Sequence, residues 1–88
     1  MELNSLREQI DRIDDEILQL FVERMGASRQ VALYKKEHGL PVLNAEREAE
    51  VLGAVESKTD EELRPYALKL YSKILELSRE YQEETMKK

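Results

Sequence analysis

The sequence predicts an all-α fold, a three-helix protomer in which the N-terminal helix is very long. Apolar residues recur at alternating spacings of four and three from Leu6 to Tyr34, which is typical of one long helix with a continuous apolar seam. The charged fraction is 38%, and two prolines and three glycines are the few helix-breaking residues. A chain of 88 residues is expected to form a single domain, 1–88.

Local start and stop signals divide the chain into three helices. Ser5 and Glu8 fit a capping box at the start of the first helix, and Gly39 fits its end. Asn44 is a good N-cap for the second helix, and Pro65 suits the first turn of the third. The predicted ranges are about 5–38, 45–58 and 65–86.

The first helix is too long for a compact chain of this size. About 33 residues at 1.5 Å each give a rod of roughly 50 Å, whereas a globule of this length is about 30 Å across. Part of the helix would therefore extend beyond its own domain, and the apolar seam continues along this part. The simplest way to bury that part of the seam is against a second copy of the chain, in an intertwined, two-fold homodimer. A non-catalytic helical dimerisation module would show the same periodicity and remains an alternative.

Arg24 occupies a seam position where the periodicity favours leucine. A guanidinium there requires an acidic partner, a role in setting helix register, or an anionic ligand. Lys35 lies eleven residues later, on nearly the same face and about 16 Å along the axis. Arg7 is too distant on the same helix, but an antiparallel partner crossing near residue 21 would bring its Arg7 opposite Lys35. These residues predict a cationic strip shared by two chains.

Composition restricts both the ligand and the compartment. A formal net charge of −5 and a pI near 4.9 argue against a nucleic-acid partner or an anionic membrane surface. No apolar run approaches the roughly 20 residues of a membrane span, and Glu2 with its polar neighbours does not fit a secretory leader, so we expect a cytoplasmic protein. The absence of cysteine and the single histidine, His38, predict no metal site.

The later helices contribute further polar groups. Asn44, Arg47 and Glu48 lie at a helix start, where free backbone amides favour an anion or a hydroxyl oxygen. Ser78 and Gln82 are one turn apart on the third helix. Each of these residues alone fits an ordinary helix surface, and Gln82 is expected near a fraying helix end.

Taken in order, five segments closely resemble the all-α, bacterial-type chorismate mutases, and the resemblance covers nearly the whole chain. The segments are Leu6–Asp14, Glu23–Arg24, Val31–Lys36, Pro41–Glu48, and Ile74–Ser78 with Gln82. The resemblance implies an intertwined homodimer and an isomerase that rearranges chorismate to prephenate on the route to phenylalanine and tyrosine. It also implies that the reaction requires no cofactor.

The resemblance assigns roles to individual residues. Arg24 and Arg7 of the partner subunit would bind the two carboxylates of chorismate. Lys35 and Gln82 would donate hydrogen bonds to the ether oxygen, and Glu48 would accept one from the ring hydroxyl. The remaining polar shell would come from Asn44, Arg47 and Ser78.

Two alternatives share this pattern. Isochorismate-pyruvate lyases resemble the mutases but typically have an apolar residue where Glu48 stands, so Glu48 favours the mutase. The chain could also be a mutase domain related to a fused protein with a dehydratase, dehydrogenase or synthase partner. Asn44 departs from the aspartate of many mutases, but its expected role as a cap and through its backbone is little affected.

Overall fold

The computed structural model describes residues 2–88, and this part of the chain forms three α-helices. These are α1 (Leu3–His38), α2 (Ala45–Lys58) and α3 (Arg64–Lys87). The third helix packs against both of the others. The predicted all-α class and the very long, uninterrupted first helix are therefore confirmed.

The start of α1 differs from the prediction. The helix begins at Leu3, and Glu2 is an N-cap without a side-chain hydrogen bond. The Leu6 amide already donates to the Glu2 carbonyl at 3.2 Å, so Ser5 lies inside the first turn. The prediction of a Ser5–Glu8 capping box is wrong, because an N-cap residue lies at the boundary of the helix and Ser5 lies inside it. No proline or glycine precedes Ser5 that would stop the helix from extending toward the N-terminus.

The connection between α1 and α2 follows the predicted signals. Gly39 ends α1 in the left-handed region, with φ 66°, which a residue with a Cβ rarely adopts. Nδ1 of His38 lies 2.9 Å from the Tyr34 carbonyl oxygen, so the side chain of His38 hydrogen-bonds to the backbone of the last turn of α1. Asn44 caps α2 because its Oδ1 accepts from the Arg47 amide at 3.1 Å. The short loop thus joins the end of α1 to the start of α2, and α2 then packs against α3.

The chain is extended and thin, with dimensions of 55 × 28 × 14 Å and a radius of gyration of 16.1 Å. A compact chain of this length has a radius of about 12 Å, and one α-helix with its side chains is about 10–12 Å across. The three helices therefore form little more than one layer, which can enclose only a small core. Its buried apolar residues are Ala32, Val55 and Leu75.

The N-terminal half of α1 lies outside this core. Every residue from 2 to 20 is exposed, and Ile10, Ile17 and Leu20 are 55%, 56% and 63% exposed. In the C-terminal half, the buried positions are Ser28 and Ala32, which lie beside the apolar seam rather than on it. A single chain therefore leaves most of the seam uncovered.

Two kinds of feature are absent from residues 2–88. None of the three helices combines the length and the apolar character that crossing a membrane requires. No group of three or more histidine, aspartate or glutamate side chains is arranged to hold a metal ion.

Candidate functional site

A cavity of about 390 Å³ opens between the C-terminal halves of α1 and α3 and the beginning of α2. Its volume lies within the usual range for small-molecule sites, about 300–1,000 Å³. Seven of the eight residues predicted from the sequence line it. They are Arg24, Lys35, Asn44, Arg47, Glu48, Ser78 and Gln82.

Arg24 lies half-buried in the wall of this cavity. Within residues 2–88 its guanidinium forms no ion pair, so the chain supplies no acidic partner for it. Of the three explanations for a cation in the seam, a register role and an anionic ligand remain. Its position on the cavity wall favours the ligand.

Lys35 is held at the junction of α1, the following loop and α3. Its Nζ donates to the Val42 carbonyl at 2.6 Å and to Oε1 of Gln82 at 2.9 Å. Both acceptors are neutral, and no carboxylate in the described part of the chain pairs with this ammonium group. An ammonium group has three N–H donors, so one remains for a ligand.

A buried polar network joins α1 to α3 behind Lys35. Ser28, Ser78 and Gln82 are 6%, 8% and 8% exposed. Nε2 of Gln82 donates to Ser28 Oγ at 2.9 Å and lies 3.4 Å from Ser78 Oγ, and the two hydroxyl oxygens are 2.5 Å apart. Since Lys35 can only donate, the Gln82 carbonyl must face Lys35 and its amide nitrogen the serines. Gln82 is therefore buried although it lies only five residues before the end of α3 at Lys87, and the alternative of a surface position near the helix end is wrong.

Glu48 meets Arg79 across the α2–α3 contact. Arg79 Nη1 lies 2.5 Å from Glu48 Oε1, and the two side chains are 35% and 23% exposed. The hydrogen bond to Glu48 is the main cause that raises the pKa of Arg79 above its ordinary value. Arg79 therefore stays charged beside Glu48 and adds a cation to the cavity wall.

Asn44 and Arg47 line the cavity from the N-cap and first turn of α2. The Asn44 side chain is committed to capping, as the sequence predicted. The Arg47 guanidinium lies 3.8 Å from Glu50, in a pair whose side chains are 68% and 61% exposed. An exposed pair of this kind is weak, so Arg47 can exchange Glu50 for a ligand at little cost.

Arg7 is the one predicted site residue that the single chain leaves outside the cavity. It is exposed on the N-terminal half of α1, seventeen residues before Arg24. That separation corresponds to about 25 Å along the helix axis. The assignment of Arg7 to the partner subunit's site stays a prediction.

The sequence interpretation missed Arg79. Arg79 could have been found because Leu75, Ser78, Arg79 and Gln82 follow the i, i+3, i+4, i+7 spacing of one helix face. Nothing in the sequence paired Arg79 with Glu48, because that contact joins two helices. The apolar lining comes from Ala27, Val31, Val42, Val51 and Leu75.

The electrostatic balance of the lining is opposite to that of the whole chain. The cavity is lined by four cationic side chains, Arg24, Lys35, Arg47 and Arg79, and by one carboxylate, Glu48. Because Arg79 pairs with Glu48, three cations remain in a chain whose formal net charge is −5. The fold and the cavity thus define a small all-α domain with a local pocket for a compact anion carrying more than one negative charge.

Comparison with known proteins gives the family. A family model described as chorismate mutase type II matches residues 6–83, so the chain belongs to the chorismate mutase type II family. The chain is 31% identical over 96 residues to a chorismate mutase of Methanocaldococcus jannaschii, an alignment that covers 99% of this chain and 94% of that protein.

Longer proteins match part of the chain. It is 44% identical over 52 residues to the T-protein of Haemophilus influenzae. It is also 44% identical over 50 residues to the bifunctional chorismate mutase/prephenate dehydratase of Aquifex aeolicus. These alignments cover 59% and 57% of this chain but 14% of the length of each relative. No solved structure is a significant match.

Proposed function

We propose that this chain is a chorismate mutase, an isomerase that converts chorismate to prephenate in the biosynthesis of phenylalanine and tyrosine. The observation that carries the proposal is that Arg24 and Lys35 line one small cavity without a carboxylate partner in the described chain. Chorismate is a compact dianion, so its two carboxylates would supply the missing negative charge. We place the reaction in the cytoplasm, as predicted from the sequence.

The reaction is a rearrangement within one molecule. The ether C–O bond breaks as a new C–C bond forms, so no atom or electron enters or leaves. No nucleophile or cofactor is needed for this electron flow. The protein has to hold chorismate in its reactive conformation and stabilise the negative charge that develops on the ether oxygen.

Lys35 and Gln82 are suited to stabilise that charge. Hydrogen bonds from Lys35 to Val42 and Gln82 fix the ammonium group before the substrate arrives and leave one N–H free. The Gln82 amide nitrogen has two N–H groups: one donates to Ser28 Oγ at 2.9 Å, and the other makes only a long contact of 3.4 Å with Ser78 Oγ, which it would exchange for the ether oxygen. Donors fixed in advance need little reorganisation during the reaction, so their hydrogen bonds strengthen as the ether oxygen becomes more negative.

The other residues would bind the ends of the substrate. Arg24 would bind one carboxylate, and Arg7 of the partner subunit the other. Glu48 would accept a hydrogen bond from the ring hydroxyl. The polar shell would be completed by Asn44, Arg47 and Ser78.

The dimer would complete the site as well as the fold. The exposed apolar residues on the N-terminal half of α1 require a cover, and a second α1 crossing antiparallel near residue 21 provides one. The same crossing would bring Arg7 of the partner subunit beside Lys35. Two-fold symmetry then gives two equivalent sites, each built from both chains.

Product analysis with the purified protein tests this function. Chorismate and isochorismate are supplied separately, and the products are identified by chromatography against an enzyme-free control. We expect prephenate from chorismate, well above the uncatalysed rate, and no cleavage of isochorismate. Release of pyruvate from isochorismate without formation of prephenate would indicate the lyase instead, and an absence of turnover would indicate a non-catalytic dimerisation module.

A further inference from the structure

The ion pair between Arg79 and Glu48 differs from the others in residues 2–88. The other four pairs lie within single helices, and their side chains are between 47% and 73% exposed. Arg79–Glu48 joins α3 to α2, and its side chains are 35% and 23% exposed. Both residues also line the cavity, so this pair forms part of the site rather than of the outer surface.

The pair occupies only one of the two carboxylate oxygens of Glu48. Arg79 donates to Oε1, whereas Oε2 receives no hydrogen bond from the described residues. A carboxylate can accept on both oxygens, so Oε2 is free for a hydroxyl group of the ligand. Arg79 thus fixes the Glu48 side chain and leaves Oε2 of Glu48 available to bind the substrate.

The pair also keeps Glu48 away from the other cations of the cavity. Arg24, Lys35 and Arg47 line the same space, and a glutamate side chain has three rotatable bonds with which to reach a new partner. A Glu48 carboxylate released from Arg79 would compete for these cations with the carboxylates of the substrate. Such competition would weaken binding, and the displaced Glu48 would no longer receive the ring hydroxyl.

From this geometry we propose that Arg79 is a positioning residue of the mutase, acting on the substrate through Glu48. The inference rests on the proposed function, because it requires a substrate that carries carboxylates and a hydroxyl group. It predicts that Arg79→Met raises KM and lowers kcat together. We expect a loss of about tenfold to a hundredfold in kcat/KM, the size typical of a misplaced active-site group.

A double-mutant cycle separates positioning from direct contact. Kinetics with chorismate are measured for wild type, Arg79→Met, Glu48→Gln and the double variant. If Arg79 acts through Glu48, Arg79→Met adds little further loss in the Glu48→Gln background, and its effect on KM disappears there. Losses that multiply would overturn the proposal and indicate that Arg79 contacts the substrate itself. An Arg79→Met enzyme with wild-type kinetics would also overturn it.

Two further variants control for charge and folding. Arg79→Lys keeps a cation in reach of Glu48, and we expect it to recover most of the activity that Arg79→Met loses. Lys73→Met removes a cation from an exposed pair with Glu76 on the same helix, and it should leave kcat and KM unchanged. A loss in Lys73→Met equal to that in Arg79→Met would indicate a general effect of charge and contradict the proposal. An inactive wild type would instead refute the proposed function itself, and the assignment with it.

Discussion

Replacement of Lys35 by alanine is expected to lower kcat/KM for chorismate by about 10²–10³-fold, the usual effect of removing one preorganised donor to a developing oxyanion. The Lys35 ammonium group is held by two neutral acceptors, Val42 and Gln82, and faces the cavity with one N–H free. The charge on the ether oxygen grows as its bond breaks, so most of the loss should fall on kcat.

The neighbouring lysine provides the control. Lys36 lies in the same last turn of α1, is exposed and does not line this cavity. Steady-state kinetics and circular dichroism of Lys35→Ala and Lys36→Ala should show two folded proteins, of which only Lys35→Ala is impaired. Wild-type kcat in a folded Lys35→Ala protein would refute the role of this residue.

Mixing two inactive variants should restore activity if the site is shared between chains. Arg7→Ala and Lys35→Ala each remove one component of every site in their own homodimers. In a heterodimer, one site combines the intact Lys35 of one chain with the intact Arg7 of the other, while the second site carries both defects. Random exchange of equal amounts makes half of the dimers heterodimers, so about a quarter of wild-type activity should return.

The outcome depends on verified exchange of subunits. Differently tagged chains, mixed under conditions that dissociate the dimer and then purified through both tags, isolate the heterodimer, which should have about half the wild-type activity per dimer. Mixed Lys35→Ala and Arg24→Ala chains are the matched control, because these two residues lie on one chain's cavity wall. That mixture should recover nothing. Failure of the Arg7→Ala and Lys35→Ala mixture after proven exchange would place Arg7 outside the shared site.

Local signals predicted much of the fold. Gly39 ends α1 and Asn44 caps α2, because these residues set the conformation of the chain within a turn of themselves. The predicted Ser5–Glu8 capping box was wrong because it, too, depended only on a local pattern. The residues before Ser5 can also be helical, and the pattern alone does not say which polar residue stands outside the helix.

The site was predictable where helix geometry places residues together. Arg24 and Lys35 share a face through the helical period, and the resemblance added Glu48 and Gln82 from other helices. The contact of Arg79 with Glu48 depends on how α3 packs against α2, which no spacing within one helix determines. Ser28 lies between Arg24 and Lys35 on α1. Its part in a buried network appears only when Gln82 and Ser78 are packed against it.

The most direct test of the central claim is the mutase activity of Arg24→Leu, measured beside its thermal unfolding. Leucine restores the apolar seam, and it has nearly the same helix propensity as arginine, so the variant should fold and be at least as stable as wild type. If the cation in the seam binds the substrate, kcat/KM for chorismate should fall by about tenfold to a hundredfold, the equivalent of one hydrogen bond to a charged group. A stable Arg24→Leu protein that forms prephenate at the wild-type rate would show that Arg24 only sets helix register. That result would contradict the central claim, that the arginine in the apolar seam is part of the active site.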